Sequence, residues 1–139
     1  MFKRKLSIIA LVLCIIVLLS ALAIAAEPFK TKLNLFERLV VMQLLPQKGS
    51  FATLKIVTKL KMELGATDEE YIQAGLEPQE DGSVQAKLGW LAVPEKEFVF
   101  EEAALGMIRD ALKKLDEAKQ LTMEHYRVYQ IFMLPKEGE

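Results

Sequence analysis

Apolar residues run through this chain in three rhythms. Residues 6–26 form an uncharged stretch interrupted only by Ser7 and Ser20. From residue 35 onward most apolar positions recur at helical spacing, and across residues 84–100 they alternate. Each rhythm predicts a different kind of element.

The helical spacing divides at strong start and stop signals. Asn34 followed by Glu37 has the form of a capping box, in which the side chain of each satisfies the other's backbone N–H. Leu35, Phe36, Leu39, Val40 and Met42 then recur until Pro46 stops the helix. Ser50 caps a second helix, with Ile56, Val57, Leu60 and Leu64 on one stripe and Gly65 as terminator. Alternation of Leu60, Met62 and Leu64 leaves a strand open there, although length and the glycine stop favour a helix. Thr67 with Glu70 is a second capping box, opening a short helix that ends near Gly75. Glu101 opens the longest helix, with Ala104, Leu105, Ile108, Ala111, Leu112 and Leu115 on one face. Thr122 caps the last, which carries Tyr126, Tyr129, Phe132 and Met133.

Between the third and fourth helices the period becomes two. Val84, Ala86, Leu88 and Trp90 alternate with Gln85, Lys87 and Gly89, and Phe98 and Phe100 alternate beyond Pro94. That pattern predicts a β-hairpin over residues 84–100, with Val84, Ala86, Leu88, Phe98 and Phe100 facing the helices. The fold expected is therefore α+β and mostly helical: three helices, a β-hairpin, then two helices. Its core is expected to draw on Leu35, Leu39, Ile56, Leu60, Leu105, Ile108, Leu112 and Leu115. Three helices followed by a hairpin is also the winged-helix order.

The first 26 residues belong to targeting rather than to the fold. Lys3, Arg4 and Lys5 form a cationic flank, and Ala23 and Ala25 fit the small-residue site of a signal peptidase. The run is also long enough to span a bilayer as an uncleaved anchor, which takes roughly 20 residues. Either fate places residues 27–139 outside the cytoplasm, as a periplasmic or secreted domain or as the outer part of a single-pass membrane protein. Cys14 does not fit a lipoprotein site, because Leu13 stands where a small residue is needed and Cys14 lies in mid-run.

Composition narrows the chemistry. With one Cys and one His in 139 residues, the chain lacks the residues for an internal disulfide or a Cys/His metal centre. No cofactor or metal is expected. His125 has neither a second ligand residue nor a nucleophile in a suitable context, since Ser50 and Ser83 lie outside any nucleophile elbow. Carboxylate pairs at Glu69/Glu70, Glu80/Asp81 and Glu101/Glu102 could divide acid and base roles only if burial separated them. Adjacent acids at helix starts and turns more often complement the helix dipole.

Charge is uneven. Residues 29–64 hold seven Lys/Arg against two acids, whereas residues 68–102 hold two against ten. Lys55 and Lys59 share a helix face in the basic third, and Trp90 sits on the hairpin; these three are the candidate interaction residues. An acidic third helix and wing, together with export, disfavour nucleic acid. The expected function is a non-enzymatic exported protein-interaction module, its partner another protein, with membrane attachment through residues 1–26 if they are not cleaved. The alternatives are a small extracytoplasmic hydrolase using carboxylates and a membrane-tethered, winged-helix-like nucleic-acid binder.

Residues 33–133 resemble small uncharacterised phage-type proteins. The likeness lies in Leu44-Leu45-Pro46 followed by Gly49-Ser50-Phe51, and in Ala111-Leu112-Lys113-Lys114-Leu115-Asp116 followed by Leu121-Thr122. It implies no activity, and the leader is a departure from a role inside a phage particle.

Overall fold

The computed structural model describes residues 27–78, 80, 84–86 and 88–134; side chains at 76–78, 84–86, 88 and 90 are not among the described features. The elements run β1 (Phe29–Leu33), α1 (Leu35–Leu44), α2 (Phe51–Leu64), α3 (Asp68–Ala74), β2 (Leu76–Pro78) and β3 (Val84–Ala86). A 3-10 turn (Leu88–Ala92), β4 (Lys96–Phe100), α4 (Glu102–Glu117) and α5 (Met123–Met133) complete the chain. The α+β class holds, as does the order of three helices, a hairpin and two helices.

The capping signals act as their chemistry requires. Asn34 Oδ1 accepts from the Glu37 amide at 2.8 Å, and the Asn34 amide donates to the Glu37 carboxylate at 2.9 Å. Ser50 Oγ accepts from Thr53 N, and Thr67 and Glu70 form the second box at 3.2 and 3.0 Å. Gly75 closes α3 at φ 59°, in the left-handed region that glycine enters without penalty. His125 takes the glutamate's place in a similar arrangement at α5. Its Nδ1 accepts from the Thr122 amide at 3.1 Å. The lone histidine is thus engaged in helix capping.

Strand pairing differs from the sequence expectation. Residues 84–86 pair with β2, antiparallel, with Leu76 opposite Ala86. β4 instead pairs with β1, placing Phe29 opposite Phe100 and Leu33 opposite Lys96. The expected hairpin across Pro94 is therefore two separate ribbons. Residues 88–92 coil into the 3-10 turn, which packs on α3. Gly89 permits that approach: a Cβ there would lie 2.7 Å from the Ala74 carbonyl oxygen. β1 alternates as a strand does in Phe29-Lys30-Thr31-Lys32-Leu33, with the lysines outward. It is only five residues long and lies close behind the leader, where so brief an alternation is easily passed over. Phe98 and Phe100 face the helices as expected, half-buried and buried, while the facing of Val84, Ala86 and Leu88 lies outside the described residues.

The main core joins β1, β4 and helices α1, α2, α4 and α5 through Leu33, Val41, Leu60, Phe100, Ile108, Leu112, Val128 and Phe132. Phe100 and Phe132 meet edge-to-face with centroids 5.2 Å apart, and Phe29 lies 5.4 Å from Phe132. Such pairs stabilise by about 0.5–1.5 kcal/mol beyond their burial. Of the expected core, Leu60, Ile108 and Leu112 are at its centre, and Ile56 and Leu105 pack at its edge. Leu35 anchors a smaller cluster with Ala74 and Val93. Leu39 and Leu115 are only half-buried and fall outside both clusters. On α1 the buried stripe is rotated away from Leu39, to Leu35, Arg38 and Val41.

That rotation places charge in the interior. Arg38 is 1% exposed, and Glu37 and Glu70 are also buried. Arg38 Nη1 donates to Glu70 Oε2 at 3.2 Å, and Lys96 Nζ approaches Glu70 Oε1 at 2.7 Å. The Arg38 guanidinium also lies over the Phe98 ring at 5.7 Å. Glu37 meets Arg127 at 3.4 Å. These contacts tie α1, α3, β4 and α5 together. Burial pushes the Glu70 carboxyl up, but hydrogen bonds from Arg38, Lys96 and the Thr67 amide outweigh it and hold its pKa at about 2.

Candidate functional site

Helix α2 is amphipathic twice over. Its inward stripe, Val57, Leu60 and Leu64, is buried in the core. On the opposite side a second stripe follows the spacing i, i+3, i+4, i+7 and i+11: Phe51, Leu54, Lys55, Thr58 and Met62. Residues at those intervals stack on one helix face. Phe51 is 85% exposed, Met62 79% and Leu54 39%. With Lys59 and Glu63 they line an open groove of about 620 Å³, apolar in its bed. An amphipathic helix ordinarily turns polar residues outward. Large apolar side chains rimmed by polar ones mark a contact surface.

The rim carries a surface ion-pair set. Lys59 Nζ sits 3.2 Å from Glu101 Oε1 and 3.9 Å from Glu63 Oε1. Its hydrogen bond to Glu101, with the nearby charge, raises the Lys59 pKa above the ordinary lysine value. Glu101 follows Phe100, the β4 residue opposite Phe29. The middle of the α2 face therefore adjoins the β1–β4 ribbon at the end where the described chain begins. Lys55 is exposed and forms no ion pair among the described residues.

Lys55 and Lys59 thus meet on one surface, as their spacing predicts. Trp90 does not join them; it belongs to the 3-10 turn on α3, and its side chain is outside the described features. The apolar partners Phe51, Leu54 and Met62 were missed. Their spacing was readable in the sequence, but a single inward stripe already accounted for the helix.

A second groove, of about 650 Å³, lies along α5 between Leu121, Met123, Tyr126, Tyr129 and Leu134. Tyr129 donates to Asp116 Oδ2 at 2.9 Å, and this bond raises the Tyr129 pKa. Met123 and Tyr126 are exposed there.

The carboxylate pairs separate. Glu70 is buried and ion-paired, whereas Glu69, Glu101 and Glu102 are exposed, and Glu80/Asp81 falls partly outside the described residues. The buried acids Glu37 and Glu70 each carry a cationic partner, and neither lines either groove. Among the described residues no group of three or more His, Cys, Asp or Glu is placed to hold a metal ion. Nor is any helix among them long and apolar enough to cross a membrane. No family model, curated protein or solved structure matches the chain.

Proposed function

We propose that this chain is an exported module that works by contact with another macromolecule rather than by catalysis, and that the outward face of α2 is its contact surface. One observation carries this: Phe51, Leu54 and Met62 stand exposed on a helix whose other side already fills the core. Exposing large apolar side chains in water costs the folded state solubility without adding to its core. Lys55 and Lys59 beside them supply orientation and charge selectivity. The leader, with its cationic flank and uncharged run, supports export.

The α5 groove supports a second contact, with a protein. Tyr and Met are enriched at protein interfaces, and the bond from Tyr129 to Asp116 holds one aromatic in place.

Site-specific photo-crosslinking in cells tests the proposal. A photoreactive residue at position 54 or 62 of the full chain should give adducts that the same residue at position 110, on the exposed side of α4, does not give. Equal yields at all three positions would reject the α2 face as a contact surface.

A further inference from the structure

We infer that the outward face of α2 docks on an anionic lipid bilayer, the same membrane that the run at residues 6–26 enters. This inference rests on the contact role proposed for α2 and on residues 6–26 being kept as an anchor, and it names the partner.

Three observations converge on lipid. The first is composition. The face presents Phe51, Leu54 and Met62 with Lys55, Lys59 and Glu63 at its edge. Lys59 is paired with Glu63 and Glu101, and Lys55 is free of ion pairs among the described residues. An apolar bed with a lysine beside it is of the kind by which a helix lies in the plane of a membrane interface. Aromatic and aliphatic groups enter the acyl boundary while lysine stems lie along it, leaving their ammonium groups among the phosphates. The second is position. Only Glu27 and Pro28 separate the uncharged run from β1. Phe29 lies opposite Phe100, Glu101 comes next, and Glu101 holds Lys59 of the α2 face. From Ala26 to Phe29 the chain can reach at most about 11 Å. The Lys59 edge of the face is thereby linked to the ribbon whose first strand the run precedes. The third is charge. Residues 29–64 carry seven cations against two acids, while residues 68–102 carry ten acids against two cations. The segments interleave in the fold, with Lys32 opposite Glu97, Arg38 buried on Glu70 and Lys59 paired with Glu101. The charge left to the face is that of Lys55, which forms no ion pair among the described residues and can meet an anionic surface.

Labelled full-length protein distinguishes the outcomes. Cys14→Ala removes the native thiol, and Met62→Cys or the control Asp110→Cys introduces a single site for an environment-sensitive fluorophore. The chain is reconstituted in phosphatidylcholine vesicles, with or without phosphatidylglycerol, that contain lipid bearing a nitroxide near the headgroup. With phosphatidylglycerol present, the label at 62 should be quenched several-fold more than the label at 110, and omitting phosphatidylglycerol should weaken that quenching. One lysine near an anionic surface contributes about a fivefold gain in binding. Lys55→Gln should therefore lower the docked-to-undocked ratio at position 62 about fivefold. Circular dichroism should show this exposed substitution to leave the fold unchanged.

If the vesicles hold the chain while the label at 62 remains in water, lipid docking is overturned and contact with a protein remains the role of α2. Equal quenching at 62 and 110 also overturns it. So does burial of the label at 62 without quenching, accompanied by disulfides between copies when the unlabelled Met62→Cys chain is treated with a mild oxidant, because the occupant is then a second chain. A chain that does not associate with vesicles at all overturns both the docking and membrane attachment.

Discussion

Two regions of this molecule invert the usual placement of side chains. Between α1, α3 and β4 the interior holds Arg38 and Glu70, with Lys96 closing the cluster at its edge. Along the outward side of α2 the surface holds Phe51, Leu54 and Met62. In the first inversion each buried charge has a counter-charge within 3.4 Å, while Arg38 Nε is left without a hydrogen-bond partner among the described residues. The second has no such counterpart among the described residues, none of which covers the stripe. A buried polar cluster that finds its own partners belongs to the fold. An exposed apolar stripe beside lysines points outward, to a partner.

The largest expected effect comes from breaking the inner cluster. Glu70→Ala leaves the Arg38 guanidinium buried without its carboxylate and removes the α3 capping box. The expected loss is about 3–5 kcal/mol, measured by denaturant unfolding. A loss under about 1 kcal/mol would show that Arg38 finds water or another acceptor. Leu112→Ala is the apolar yardstick. Leu112 is fully buried in the main core, and its truncation should cost about 2–5 kcal/mol in the same assay.

Acid titration sharpens the contrast further. The folded Glu70 carboxyl titrates at about 2, against an ordinary 4.5. Because the folded value is depressed, its stabilisation is fully present above pH 4.5 and drains away as pH falls toward 2. Glu70→Gln should be less stable at neutral pH and should lose the Glu70 part of the stability change in that window. A variant whose acid profile matched the parent's would exclude Glu70 as a source of it.

The smallest effect expected is none. Residues 27–139 contain no cysteine, and a chain of this size can bury a core without staples. Expressed alone, they should unfold cooperatively at the same midpoint with or without reductant or chelator. A midpoint that falls on chelation would reveal a structural metal ion.

These regions also mark how far the sequence could be read. Helix starts were legible because Asn34, Ser50 and Thr67 carry their own hydrogen-bonding chemistry to the backbone. The end of α4 was less so: its terminator is Lys119 at φ 55°, where glycine is the usual signal. Strand partners were not legible either. Alternation tells which face of Phe98–Phe100 is apolar, but not whether the neighbouring strand is residues 84–88 or the five residues after the leader. Arg38 was hidden because a charged residue on an apolar stripe reads as a surface interruption until Glu70 is known to lie opposite it. At the candidate site Lys55 and Lys59 were recovered from their spacing. Phe51, Leu54 and Met62 were not, since only the fold shows which of two apolar stripes on one helix is already occupied.

The most direct measurement is the unfolding free energy of Phe51→Ser/Met62→Ser in the 27–139 domain. If the outward face of α2 serves contact and not folding, the double variant should stay within about 0.5 kcal/mol of the parent. A loss of about 2 kcal/mol or more, the size of a core truncation, would show that these side chains support the fold and would contradict the account.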